Sequence, residues 1–227
     1  MICFNDGYNG RRVLVTGHTG FKGSWLSLWL KQLGAEVGGF SMGTPGPLSN
    51  FELLGLEKHL HHYVGDIRDL SRLAQVIDEF KPDIVFHLAA QALVRHSYTD
   101  PVTTFETNTM GMVNLLECVR TRPWISAAVL ITSDKAYRNV EWCWGYRETD
   151  ALGGNDPYSG SKSCADLVAQ SYFHSYLRHT PTRIAITRAG NVIGGGDWAK
   201  DRIVVDCMKA WSAGESVEIR CPEATRP

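Results

Sequence analysis

The chain has 227 residues, 44% hydrophobic and 21% charged, with a net charge of −1. That length and balance suit one folded unit with a sizeable core, or one and a fraction. A near-neutral charge with dispersed basic residues excludes bulk attraction to nucleic acid or an anionic membrane.

An apolar run at 12–16 predicts a first strand. Gly17-His18-Thr19-Gly20-Phe21-Lys22-Gly23 follows, then a helical pattern carried by Trp25, Leu26, Leu28, Trp29, Leu30 and Leu33. Glycine between a strand and a helix permits a tight turn and lets a ligand approach the backbone. The helix N-terminus behind it offers free N–H groups to a pyrophosphate. Gly17, His18, Gly20, Phe21, Lys22 and Gly23 are therefore candidate dinucleotide-binding residues. His18 and Lys22 could also add positive charge near the phosphates. A plain tight turn is the competing reading, and the fit of both flanks favours the ligand.

Residues 36–41 predict a second strand. Its end reads Ser41-Met42-Gly43, without the acidic residue that usually bonds the ribose of NAD. NAD is the expected cofactor, with NADP left open. A loop rich in Pro and Gly follows at 44–49. His59, His61 and His62 lack spaced acidic or Cys partners, so a solvated turn beside a strand start is expected there, and no metal. A strand near 63–66 leads to a helix at 70–80, with Asp69 the better cap. Asp66, with Ile67 beside it, is a candidate for the adenine end of the cofactor. Residues 82–90 read as a buried strand ending in Ala89 and Ala90, small enough for a cofactor to lie against the backbone.

A helix is expected over about 101–120. Asn108 inside it is a poor helix former and is expected to bond the backbone of a neighbouring strand rather than act in catalysis. The strand at 127–132 ends in Thr132, Ser133, Asp134 and Lys135. A helix over 158–179 opens on Tyr158 and Lys162, four apart and so on one face. An ammonium beside a phenol favours the phenolate, and a Tyr so tuned can take a proton from a sugar or steroid hydroxyl. Trp142, Trp144 and Tyr146 in the connection read equally as a lid or stacking surface and as a local anchor. After a strand at 183–188 comes a polar, glycine-rich loop at 189–198. Asn191 in that loop, and Arg95 earlier, are candidate substrate-binding residues. A helix at 203–213 and a short strand at 216–220 complete the chain.

Strands alternating with helices predict an α/β fold: a Rossmann-type doubly wound parallel sheet with helices on both faces. Residues 1–188 would form this dinucleotide-binding unit, and 189–227 the start of an incomplete substrate domain. Its binding crevice would lie at the carboxyl ends of the strands, where Thr132, Ser133 and Asp134 sit. Cysteines at 3, 118, 143, 164, 207 and 221 are scattered without Cys-x-x-Cys, which suits reduced thiols. With no apolar run of membrane-spanning length and no visible secretory signal, a cytoplasmic protein is expected.

Gly17-x-x-Gly20-x-x-Gly23, Tyr158-x-x-x-Lys162 and the upstream Ser133 together resemble the extended short-chain dehydrogenase/reductase family over nearly the whole chain. Thr132-Ser133-Asp134-Lys135 lies where the sugar-nucleotide 4,6-dehydratases of that family carry a hydroxyl, an Asp and then a Glu. The Asp-Lys pair is similar to the branch acting on CDP-glucose, as are the segments 17–25, 141–148 and 190–198. The resemblance implies a lyase that uses internally recycled NAD on a CDP-sugar, working as a homodimer through its two long helices. It implies Tyr158 as base on the C4 hydroxyl, and Lys162 as the group that lowers the Tyr158 pKa and bonds the nicotinamide ribose. Ser133, or Thr132, would bond the same sugar oxygen, with Asp134 as acid and Lys135 as base. A lysine is protonated at neutral pH unless buried or crowded by another cation, so a positioning role for Lys135 stands beside the base role. Arg226-Pro227 resembles a point inside the family's sequence, and more substrate domain is expected beyond it. An epimerase or reductase on the same fold and a non-catalytic dinucleotide-binding module are the alternatives. Asp134-Lys135 argues against the first, and Tyr158 with Lys162 against the second.

Overall fold

The structure is a computed structural model that describes residues 4–219 and 222–227. In chain order it places β1 (Arg12–Thr16), α1 (Phe21–Gln32), β2 (Glu36–Ser41), α2 (Asn50–Leu53), β3 (His61–Val64) and α3 (Leu70–Phe80). There follow β4 (Ile84–His87), α4 (Val94–Thr99), α5 (Pro101–Phe105), α6 (Gly111–Arg120) and β5 (Ala127–Ile131). The chain continues through α7 (Pro157–Tyr172), β6 (Arg183–Thr187) and α8 (Ile203–Ser212). The six strands form one sheet in the order β3-β2-β1-β4-β5-β6, and every pairing is parallel. The order reverses between β1 and β4, and that reversal opens a crevice at the carboxyl ends of the strands.

Alternation along the strands builds two cores. In β1, Leu14 faces one side, where it joins Leu73, Val76, Ile77 and Phe80 of α3 and Leu115 and Leu116 of α6. Val13 and Val15 face the other side, with Val37 and with Leu30 of α1. A period of two on strands and of 3.6 on helices is what lets both faces be covered. Asp69 caps α3 by accepting from Arg72 N at 3.0 Å, and Asp156 caps α7 by accepting from Ser159 N at 2.9 Å.

The expected helix at 101–120 is broken by one wide π turn at Glu106–Met110, where the i→i+5 ladder locally replaces i→i+4. Asn108 sits in that turn. Its Nδ2 donates to the Gln91 carbonyl (3.1 Å) and to Ser161 Oγ (2.8 Å), and its Oδ1 accepts from Gln91 N (2.8 Å). It joins the backbone of the loop after β4 to the Ser161 hydroxyl of α7, a structural role, though its backbone partner lies just past the strand rather than in it.

Three local expectations are corrected. His61 and His62 lie within β3 rather than in a solvated turn. His62 Nδ1 is 2.7 Å from His18 Nε2, so the histidines serve a side-chain pair between the glycine turn and the sheet. The strand at 216–220 does not form: residues 216–219 are irregular, and Arg220 lies outside the described residues. The short helices α2 and α4 were not foreseen, because segments of four and six residues carry too little periodicity to read.

Cys118, Cys143, Cys164 and Cys207 carry no disulfide; Cys3 and Cys221 lie outside the described residues. Among the described residues no helix is long and apolar enough to cross a membrane, and no cluster of His, Cys, Asp and Glu is gathered to hold a metal.

Candidate active site

The glycine turn follows β1 directly. Gly17 has φ +74°, in the left-handed region. A Cβ there would lie 2.8 Å from Ala89 N, because the ends of β1 and β4 run past each other at this point. A Cβ on Gly23 would strike the Gly17 carbonyl and lie 2.7 Å from His18 Cα. These two glycines bring the N-terminus of α1 hard against the strand end. Its N-cap, Gly20, places no side chain on the first-turn N–H groups. Free N–H groups beside a cradle with no Cβ fit the pyrophosphate of a dinucleotide.

His18 does not supply the charge expected of it. Its ring is fully buried, set edge-on to Phe51 and against the bare Cα of Gly39. Burial, then the neighbouring His62, push its pKa down to about 3, so it is neutral. His87, at the end of β4, is likewise buried, with its Nδ1 2.8 Å from Thr16 Oγ1. Burial, then the charge of Lys162, lower it to about 3. For both, the folded pKa lies below the unfolded value of 6.5, so the unfolded chain binds more protons as the pH falls. The stability each contributes is present above about pH 6.5 and is lost as the pH falls towards 3. Between pH 7.5 and 5 the expected loss is about 2 kcal/mol from each. Urea unfolding at the two pH values measures it, and His87→Asn should remove about half of the combined loss. An unchanged acid response in that variant would contradict the assignment.

A cavity of about 450 Å³ lies beside the glycine turn at the strand ends, lined by Phe21, Lys22, Thr132, Ser133, Lys135 and Tyr158. Its other wall comes from 189–194 and from Asp197, Lys200 and Arg202. Cations crowd this space. Lys162, on the buried face of α7, has its pKa lowered to about 8 by desolvation and then by Lys22. Lys22 is lowered by desolvation and then by Arg202. A buried Lys162 next to a half-buried Lys22, with Arg202 beyond it, makes a receptor for phosphate anions.

Tyr158 and Lys162 lie on one stripe of α7, as their spacing predicts. The electrostatic coupling expected between them is not what acts on the phenol here. Burial raises the Tyr158 pKa, while a hydrogen bond from Ser133 and the charge of Arg202 pull it back. Lys162 is not among the groups moving it. Ser133 rather than Thr132 is the available hydroxyl, because Thr132 Oγ1 is already committed to the Thr187 carbonyl at 3.0 Å and to Asp166 Oδ2 at 3.3 Å. Ser133 Oγ meets Asp134 Oδ1 at 3.0 Å, and the backbone N–H of Lys135 donates to the same carboxylate oxygen at 2.8 Å.

Asp134 is also gripped by Arg226, whose Nε and Nη2 meet its two oxygens at 2.8 and 2.6 Å. No local pattern in the sequence links residues 92 apart, and this partner was missed. Arg226 is held there by its neighbour: Asn139 Nδ2 donates to the Thr225 carbonyl at 3.0 Å.

The remaining candidates fall as follows. Ala89 packs against the glycine turn, with Ala90 the next residue along. Asn191 and Arg95 line the cavity, and Arg95 Nη1 pairs with Asp201 at 3.0 Å. Asp66 is turned onto Arg68, with Oδ2 2.9 Å from its Nε; an adenine would have to compete with that bond. The side chain of Ile67 is buried in the core and its carbonyl accepts from Asn114 at 3.0 Å. Tyr146 stacks between Tyr137 and Trp142 at centroid distances of 5.3 and 5.2 Å, and Val140 N donates to its hydroxyl at 2.7 Å. Trp142, Trp144 and Tyr146 are not among the cavity-lining residues. Tyr146 and Trp142 fit the local anchor, while Trp144 is exposed.

A family model described as GDP-mannose 4,6 dehydratase matches residues 14–205. The CDP-glucose 4,6-dehydratase of Salmonella typhimurium is 52% identical over 225 residues, which take in 97% of this chain and 63% of that protein. The solved dTDP-glucose 4,6-dehydratase of Bacillus anthracis in complex with NAD superposes with a TM-score of 0.78 at 26% identity, covering 92% of this chain and 63% of that one. The dTDP-glucose 4,6-dehydratase of Streptomyces venezuelae, with NAD bound, gives a TM-score of 0.78 at 28% identity, covering 91% and 63%. The chain thus spans just under two thirds of the length of these relatives.

Proposed function

The chain belongs to the GDP-mannose 4,6 dehydratase family, and from that premise we propose that the protein dehydrates CDP-D-glucose to CDP-4-dehydro-6-deoxy-D-glucose with NAD. The observation that carries this reading is the gathering of Ser133, Tyr158, Asp134 and Lys135 at one end of a cation-lined cavity beside the glycine turn. The CDP-sugar is supported by the relative named for it, 52% identical, and NAD by the NAD complexes of the solved relatives. Residues 189–227 are then the start of a substrate domain, and Asn191 and Arg95 face the sugar nucleotide.

Gly17, Gly20 and Gly23 would hold the NAD pyrophosphate at the head of α1, with Lys22 beside it. When bound, NAD supplies the acceptor for a hydride from sugar C4 and the donor that returns it at C6. Tyr158 takes the proton of the C4 hydroxyl while Ser133 holds that oxygen. Lys162 would offer its charge to the phenol and to the nicotinamide ribose. The 4-ketone acidifies the C5 proton, which Lys135 in its neutral form removes; the resulting ammonium, open to exchange with solvent, gives a proton back to C5 as hydride reaches C6. Asp134 protonates the C6 hydroxyl, which leaves as water. A carboxyl acting as acid must carry a proton, and a guanidinium on both its oxygens competes with that proton, so productive binding of the sugar displaces Arg226. The sugar loses one water and the cofactor is unchanged.

CDP-glucose carrying deuterium at C4 should yield product with that deuterium at C6 and with a solvent proton at C5. Loss of the label to solvent or to free cofactor would argue against an internal cycle. Lys135→Ala should stop C5 exchange; full exchange in that variant would reduce Lys135 to a positioning group.

A homodimer fits the exposed apolar side chains on the two long helices, among them Val102, Phe105, Leu167 and Tyr176. Val102→Glu with Leu167→Glu should halve the mass measured by light scattering. A monomeric parent would contradict the dimer.

A further inference from the structure

Asp166 is the one carboxylate on α7 placed in line with the reactive pair, four residues after Lys162 and eight after Tyr158. It is fully buried, and Arg188, just past β6, is nearly so, with side-chain exposures of 0% and 12%. The two meet in a two-pronged pair: Arg188 Nε to Oδ2 at 2.7 Å and Nη2 to Oδ1 at 2.9 Å. Gln170 Nε2 donates to Oδ1 at 2.7 Å, and Thr132 Oγ1, which shares its one proton with the Thr187 carbonyl at 3.0 Å, lies 3.3 Å from Oδ2. The remaining prong of Arg188, Nη1, donates to the Glu148 carbonyl at 3.0 Å. Its guanidinium also lies over the Tyr137 ring, 4.8 Å from the centroid.

The pair therefore joins four pieces of the chain: α7, the end of β5, the end of β6, and both ends of the 138–150 excursion. β5 and β6 are laced together at the same level, where Thr132 N donates to the Thr187 carbonyl at 2.8 Å and Asp134 N to the Ala189 carbonyl at 3.1 Å. Ser133 and Asp134 ride on that laced end, and Tyr158 and Lys162 ride on α7. Ser163 Oγ ties α7 to the turn after Asp134 by donating to the Ala136 carbonyl at 2.9 Å, and Asp166 ties the same helix, one turn further on, to the ends of β5 and β6. Neither Asp166 nor Arg188 lines the cavity.

We propose that Asp166 and Arg188 are positioning residues that set the spacing between the Ser133–Asp134 tip and the Tyr158–Lys162 face. The inference rests on the dehydratase reading above. A guanidinium is required rather than an ammonium, because only a planar fork can take both carboxylate oxygens, the Glu148 carbonyl and the Tyr137 ring together. A displacement of about 1 Å between reacting groups costs about 10²-fold in rate, whereas binding of the cofactor and of the distant nucleotide does not depend on that spacing.

The test is steady-state kinetics of CDP-glucose dehydration by the protein and by its Asp166→Asn and Arg188→Lys variants, run well below their melting temperatures with circular dichroism alongside. Each variant should stay folded, lose about 10- to 100-fold in kcat, and keep KM for CDP-glucose and Kd for NAD within about threefold. A kcat within twofold of the parent in a folded variant, with only a lower melting temperature, would overturn the proposal and leave the pair a stabilising element. If Asp166→Asn does not fold, Arg188→Lys decides by the same readout; loss of the fold in both would also overturn it. A parent that does not turn over would count against the dehydratase reading instead, and NAD release by both variants against the parent's retention would overturn the positioning role.

Discussion

Tyr158→Phe should lower the rate of water loss from CDP-glucose by about 10²–10⁴-fold, the range for removing a positioned proton acceptor. The ring stays, so the packing of α7 should survive and NAD affinity should change little. The size of the effect follows from the surroundings of the phenol. Burial raises its pKa, and among the groups that pull it back are the Ser133 hydroxyl and the Arg202 charge. Neither neighbouring hydroxyl is placed to replace it, since Thr132 is bonded to Thr187 and Asp166 and Ser133 donates to Asp134. Ser133→Ala should show a smaller loss, because it removes an orienting bond and leaves the acceptor. A Tyr158→Phe protein within about tenfold of the parent would mean that another group takes the proton.

Gly23→Ala should abolish detectable NAD binding at concentrations that saturate the parent, and should cost about 1–3 kcal/mol of stability, with the upper end favoured. The added Cβ meets backbone, the Gly17 carbonyl and His18 Cα, and neither can swing aside as a side chain would. α1 must move away from the end of β1, and its first-turn N–H groups move with it. Gly20→Ala should cost less stability, since its Cβ would lie 3.3 Å from the Gly17 carbonyl and asks for only a small shift. Equilibrium titration with NAD and urea unfolding measure the two effects separately. Equal binding by Gly23→Ala and the parent would remove the glycine turn from the cofactor site.

Most of the sheet was legible because β1, β4 and β5 are short apolar runs and α3 and α6 carry a clear apolar stripe, whereas β3 opens on His61-His62 and was read too late in the chain. β1 and β2 fall where their residues predict. Asn108 was legible for a different reason: a poor helix former inside a helix needs a local explanation, and its bonds to Gln91 and Ser161 supply one. What stayed hidden depends on long-range contact. His18 looked like a cation beside a phosphate because sequence shows its neighbours along the chain and not the His62 and Phe51 rings that bury it. Lys162 looked like the tuner of Tyr158 because spacing on a helix shows which face two groups share and not how much water each has lost. The Arg226–Asp134 pair joins residues from distant parts of the chain, and no periodicity announces it. Asp166 could have been found, since a carboxylate four residues past Lys162 on the buried stripe of a helix requires a partner.

The most direct measurement is incubation of the protein with NAD and, separately, CDP-, dTDP-, GDP- and UDP-glucose, with products followed by mass. The account predicts loss of one water from CDP-glucose, at a rate well above that with the other three, and no net reduction of NAD. Isomerisation without a change in mass, or water loss from a different nucleotide sugar in preference to CDP-glucose, would contradict it.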